Sequence, residues 1–195
     1  MKKIIIVTGV SGIGKTTISS YLYNHYKEST LISMDQLKES IYPLIGYKSK
    51  QEKNQLKDIV YSLFSSILEE CMNREDEIII VEYPFSQKWK IVFENLIKKY
   101  SYRAITINVK TNDYEKVFDI VDKRNNSNQR NVIHSIDNYN PHKKSEYRSK
   151  NEINYNSWKE DYLSNKYTSI NLGKVIDFYN IDDSYEELIK QIEKE

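Results

Sequence analysis

The stretch GVSGIGKTT, residues 9–17, follows the apolar run IIIV at residues 4–7, and its reading decides the fold. A short strand that empties through a glycine loop into a helix brings backbone N–H groups together around a phosphate. The spacing G-x-x-x-x-G-K-[ST] is met by Gly9, Gly14, Lys15 and Thr16. Gly9, Gly12 and Gly14 are three of only five glycines in 195 residues, so the loop stands out from the background composition. In such a loop the backbone of Gly9, Val10, Ser11, Gly12, Ile13 and Gly14 cradles the phosphates, and Lys15 reaches the outer ones as a mobile charge. Thr16 and Thr17 open the following helix, with the Thr16 hydroxyl placed to meet Mg²⁺. The expectation is a nucleoside triphosphate site.

Working outward, residues 3–8 read as a buried strand and 15–27 as the helix after the loop. TLIS at 30–33 is a second strand, and Asp35 opens a helical stretch that Pro43 and Gly46 are expected to terminate. From Leu56, apolar residues at Ile59, Val60, Leu63, Phe64, Ile67, Leu68, Cys71 and Met72 recur at helical spacing. EIIIVE at 77–82 and RAITINV at 103–109 are further strands, separated by an amphipathic helix on Trp89, Val92, Phe93, Leu96, Ile97 and Tyr100. A helix on Tyr114, Val117, Phe118 and Val121 runs into the polar KRNNSNQRN, an exposed loop. After a polar, tyrosine-bearing stretch with helix around Tyr155–Tyr162, GKVIDFY is the last strand and Tyr185, Leu188, Ile189 and Ile192 mark the closing helix. Apolar strands alternating with helices imply an α/β fold with a parallel sheet covered on both faces. No repeat or linker composition divides residues 1–195, so one domain is expected.

The composition is 39% hydrophobic and 12% aromatic, with a formal net charge of +1. That charge supplies no global attraction to nucleic acid or an anionic membrane. Cys71 is the single cysteine, and its helical apolar context reads as a packed core thiol in a reducing compartment. The run after MKK is too short for a leader or a membrane span, so a cytoplasmic protein is expected. No N-K-x-D guanine-reading motif is present, since NVKTND does not match it.

GVSGIGKT, then LISMDQLKESIY, IIIVE and KRNNSNQR, resembles the small P-loop (Walker A) kinases that include polynucleotide kinase, chloramphenicol phosphotransferase and the zeta toxins. The resemblance implies a five-stranded parallel sheet of order 2-3-1-4-5 with a lid over the nucleotide, here about residues 123–140. It implies ATP and Mg²⁺ as the donor pair, and a hydroxyl as acceptor. The residue matching the group's general base is Asp35, which also suits a helix N-cap. Lys38 stands where polynucleotide kinases carry an arginine, which counts against a 5′-hydroxyl RNA or DNA acceptor. Glu82, ending the third strand, would hold Mg²⁺ through a water, or is a solvated strand end. Tyr83, Pro84 and Phe85 would face the acceptor or pack in the core. Arg124, with Arg130 behind it, is the expected lid cation, although Lys123 and Arg124 also suit a helix C-terminus. His134 reads as a surface histidine, and Asn180 to Asp182 would border the adenine.

The interleaved Tyr, Trp158 and cations of residues 139–167 fit either a stacking platform for single-stranded nucleic acid or an amphipathic surface helix. The leading expectation is an ATP- and Mg²⁺-dependent kinase of a small hydroxyl compound. The alternatives are an end-kinase of nucleic acid and a nucleotide-responsive binding protein with little turnover.

Overall fold

The computed structural model describes residues 2–126, 131–146, 154–164 and 166–194. The apolar runs form five parallel strands: β1 (Lys3–Thr8), β2 (Ser29–Ser33), β3 (Ile78–Glu82), β4 (Arg103–Lys110) and β5 (Lys174–Tyr179). Their order across the sheet is β2-β3-β1-β4-β5, as the resemblance implied. Strand β1 is central because it is buried on both faces. Ile4 and Ile6 enter one core with Ile79 and Val81 of β3, while Ile5 and Val7 enter the other with Ile80, Ile105 and Ile107. This is the two-residue alternation of a pleated strand applied to a continuous apolar run.

Seven α-helices cover the sheet among the described residues: α1 (Lys15–His25), α2 (Met34–Ile45), α3 (Lys50–Asn73), α4 (Lys88–Tyr100), α5 (Tyr114–Asn126), α6 (Tyr155–Leu163) and α7 (Tyr185–Glu193). Residues of α2, α3 and α4 fill the first core; those of α1, α5, α6 and α7 fill the second. None of these helices is long and apolar enough to cross a membrane. Cys71 is buried in the first core, as its context suggested.

Three helix boundaries differ from the sequence reading, the first being that α1 ends at His25 and not at residue 27. Gly46 closes α2 as expected, its N–H bonding the Tyr42 carbonyl, but Pro43 does not stop the helix, which runs on to Ile45. A proline in the final turn removes only the bond to the Glu39 carbonyl, and the packing of Tyr42 in the first core keeps the helix going. Helix α3 starts at Lys50, six residues before Leu56, because Ser49 caps it by accepting from the Glu52 N–H. Glu52 answers by accepting from the Lys48 N–H at 2.7 Å, one residue before the donor of a standard capping box.

Residues 131–140 dock against the α2–α3 corner. Tyr47 and Tyr139 exchange backbone hydrogen bonds of 2.9 and 2.6 Å, and the Lys53 ammonium donates to the Ile136 carbonyl at 2.6 Å.

Candidate active site

The glycine loop, Asp35 and Glu82 lie at the carboxyl edge of the sheet, where parallel strands deliver their loops. β1 ends at Thr8 and passes into the glycine loop. Gly12 and Gly14 adopt φ of 83° and 103°, backbone that L side chains rarely take. A Cβ on Gly12 would lie 2.2 Å from Val121, and one on Gly14 would meet the Asn180 side chain at the same distance. The loop is therefore closed by its neighbours as well as by its own torsions. Val10 and Ile13 turn their side chains into the second core, so only their backbone faces the loop's concavity. The backbone N–H groups of Gly12, Gly14, Lys15 and Thr16 donate no hydrogen bond among the described residues. Uncapped donors at the start of α1, with Gly14 as its N-cap and no side-chain cap, make a ready oxyanion cradle.

Lys15 is 5% exposed, and its ammonium donates to the Val10 carbonyl at 2.7 Å. Burial lowers its pKa to about 8, against the opposing pull of Glu82 and Asp35. The Arg124 charge pushes in the same direction as burial, which places this exposed end of α5 within electrostatic reach of the loop. Arg130 lies outside the described residues.

The in-register pairing of β2 and β3 sets Ser33 beside Glu82, and the Ser33 hydroxyl donates to the Glu82 carboxylate at 2.9 Å. Glu82 is 3% exposed, which overturns its reading as a solvated strand end. Burial pushes its carboxyl above the ordinary pKa, while Lys15 and the hydroxyls of Ser33 and Thr16 pull it back and Asp35 adds to the rise. The oxygens here, the Glu82 carboxylate and the hydroxyls of Ser33 and Thr16, are all hard donors of the kind that suits Mg²⁺. Ser33 also caps α2 by accepting from the Gln36 N–H at 3.4 Å. The pattern Ser33-x-x-Gln36 was a legible cap signal that sequence reasoning passed over.

That cap function therefore belongs to Ser33, and Asp35 is left in the first turn of α2 with its carboxylate available. Asp35 accepts from the Lys38 ammonium at 3.1 Å and remains 43% exposed. Burial pushes the Asp35 carboxyl up, but Lys38, His134 and Lys15 together outweigh it and hold it below its ordinary pKa. Lys38 is 11% exposed and also donates to the Tyr83 hydroxyl at 2.6 Å, with its ammonium 4.1 Å from the centre of that ring. Tyr83 in turn meets the Tyr61 hydroxyl at 3.2 Å.

Tyr83 and Phe85 stay in edge contact, their ring centres 5.6 Å apart, but only Tyr83 carries a hydroxyl into the site. Tyr83 belongs to this network, whereas Phe85 is fully buried among Phe64, Trp89 and Phe93. His134 is a half-buried partner of Glu39 at 2.7 Å and not a plain surface histidine. Asn180 donates to the Ile13 carbonyl at 2.9 Å, so it braces the phosphate loop directly.

Trp158 and Tyr61 are contributors that sequence reasoning did not assign to the site. Trp158 is 6% exposed, packs on Phe118, and donates its indole N–H to the Ser11 carbonyl at 3.2 Å. It is thus unavailable as a stacking platform. Neither residue had a local signal, since each reaches the site only through packing.

Solved structures with a similar backbone include a candidate kinase from Chloroflexus aurantiacus, with TM-score 0.75 and 16% identity, covering 99% of this chain and 97% of that one. The Deinococcus radiodurans tunicamycin resistance protein matches at TM-score 0.58 and 12% identity, over 100% and 95% of the two chains. The APS kinase of Mycobacterium tuberculosis, in complex with AMPPNP and APS, matches at 0.52 and 12%, over 99% and 96%. The fold is that of the P-loop kinases. No protein-family model and no curated protein matches the chain.

Proposed function

We propose that the chain is an ATP- and Mg²⁺-dependent kinase that transfers the γ-phosphate to a hydroxyl of a small molecule. The observation that carries this reading is Asp35: an ionised, solvent-accessible carboxylate on the same sheet edge as the phosphate cradle, freed from capping duty by Ser33. The P-loop kinase fold and the similar APS kinase structure that holds AMPPNP support the donor half.

In the transfer, the acceptor oxygen bonds to the γ-phosphorus as the bond from that phosphorus to the bridging oxygen breaks. ADP leaves with the electron pair, and the hydroxyl proton passes to Asp35. Loose transfer of this kind asks mainly for positioning and charge, which an oriented carboxylate and converging N–H donors supply. Lys15 leaves the Val10 carbonyl for the outer phosphates, and Arg124 closes from α5 over the transferring group. Thr16 and Glu82, the latter through water, would hold Mg²⁺, which supplies charge neutralisation between the outer phosphates. Residues 1–195 act as one unit in this reading, in the cytoplasm, with a lid at about 123–140, of which 127–130 lie outside the described residues.

Labelled γ-phosphate supplied with Mg²⁺ should pass to at least one member of a panel of hydroxyl metabolites. Asp35→Asn should lower kcat by about 10²–10⁴-fold while ADP affinity changes little. Normal transfer by the Asn variant would refute the role of Asp35. Tight ATP binding with no transfer to any acceptor would instead favour a nucleotide-responsive binding protein.

A further inference from the structure

The acceptor side carries more positive charge than the proposed transfer itself requires. Lys38, Lys57 and Lys88 come from α2, α3 and α4 and converge on two tyrosine rings. The Lys88 ammonium stands 4.3 Å from the centre of the Tyr61 ring, and that of Lys57 stands 5.9 Å from it. Tyr61 is joined through the Tyr83 hydroxyl to Lys38, and Lys38 to Asp35. The aromatic floor is continuous with the carboxylate that is to receive the acceptor's proton.

Among the described residues neither Lys57 nor Lys88 makes an ion pair. The carboxylates that act on this group are Asp35, already engaged by Lys38, and Asp58, whose charge opposes the lowering of Lys88. Burial and the charges of Lys57 and Lys38 push the Lys88 ammonium below its ordinary pKa, which registers their mutual repulsion. Lys88 also opens α4, whose N-cap Gln87 provides no side-chain hydrogen bond, so the positive end of the helix adds to the field. Tyr61 is held edge-on by Trp89 at 5.2 Å, which fixes the floor beneath the two ammonium groups.

We infer that Lys57 and Lys88, over the Tyr61 ring, form an oxyanion subsite that selects a small hydroxyl acceptor bearing a carboxylate or a phosphate. The acid group anchors between the two lysines and the hydroxyl is presented to Asp35 beside Lys38. The inference rests on the kinase reading for the hydroxyl, but the anion subsite is a separate claim about α3 and α4.

The test saturates the full chain with ADP and Mg²⁺, so that the phosphate loop is filled, and titrates glycerol, glycerate and glycerol 3-phosphate by calorimetry. At least one acid should bind at least about tenfold more tightly than glycerol, and Lys57→Gln with Lys88→Gln should remove most of that preference. Circular dichroism checks that the double variant is folded. Glycerate and glycerol 3-phosphate separate a carboxylate from a phosphate as the preferred anion. Equal or absent binding of all three compounds, or an acid preference that survives in the double variant, would overturn the subsite. The same compounds are then offered with labelled ATP. An acid preference without transfer to any hydroxyl leaves the subsite and refutes the kinase. Transfer to neutral alcohols that is indifferent to both lysines leaves the kinase and refutes the subsite. Transfer to a 5′-hydroxyl oligonucleotide in place of the small acids would overturn the assigned substrate class.

Discussion

On the proposed donor side of the cleft one unbroken segment, residues 9–17, supplies the turn, the ammonium and the hydroxyl, whereas on the proposed acceptor side four separate elements contribute Asp35 and Lys38, Tyr61, Tyr83, and Lys88. The donor side works through backbone N–H groups, which any sequence able to adopt the torsions can present. The acceptor side works through side chains, and these meet only because β3 and the helices α2, α3 and α4 pack as they do. The difference teaches where each half is vulnerable: the first to torsion and buried charge, the second to the loss of a single partner.

The sharpest break in this comparison is Lys15→Met. Transfer should fall by at least about 10²–10³-fold, yet the empty protein should become more stable near neutrality. The Lys15 pKa is about 8 when folded and 10.5 in the unfolded chain. Below pH 8 both states hold the proton, and the folded state bears the whole cost of burying it. Between pH 8 and 10.5 the unfolded chain holds more protons, so stability rises with pH. The rise amounts to at most about 3 kcal/mol. Urea denaturation at pH 7 and pH 10 should show that rise in the parent and not in the Met variant; parallel pH dependences would count against a buried, strained ammonium.

Gly12→Ala tests whether the donor half depends on its torsions. The new Cβ meets Val121 at 2.2 Å in backbone at φ +83°, so the variant should lose about 1–3 kcal/mol of stability and bind ADP more weakly. Unchanged melting and ADP affinity would show that the loop tolerates a side chain. The mildest effect is expected at Trp158, whose indole joins α6 to the loop. Trp158→Phe removes one hydrogen bond and should weaken ADP binding by about fivefold, near 1 kcal/mol. An unaltered ADP titration would make α6 a covering helix only.

The donor half was legible because its information is local: three glycines, a lysine and a threonine at fixed spacing after an apolar run. The sheet order followed from the resemblance those residues carry, and Asp35 from its place after β2. Elsewhere neighbours in space decide. Glu82 read as either a Mg²⁺ carboxylate or a solvated strand end until parallel register set Ser33 beside it and burial removed the second reading. Tyr83 and Phe85, two residues apart, remain one aromatic contact in the fold, yet only the Tyr83 hydroxyl reaches Lys38 while Phe85 is fully buried. Pro43 carried a stop signal that the packing of α2 overrode.

From sequence alone came the alternation of strands and helices and the glycine loop with its lysine, since each depends on torsion preference or hydrophobic period over a few residues; the candidate base Asp35 came from the family resemblance. Only the tertiary structure decided that Ser33, not Asp35, caps α2, that Trp158 braces the loop, and that Lys57 and Lys88 meet over Tyr61. The reason is that hydrogen bonds and charge interactions act over a few ångströms, and no periodicity in a chain encodes which distant side chains will come that close.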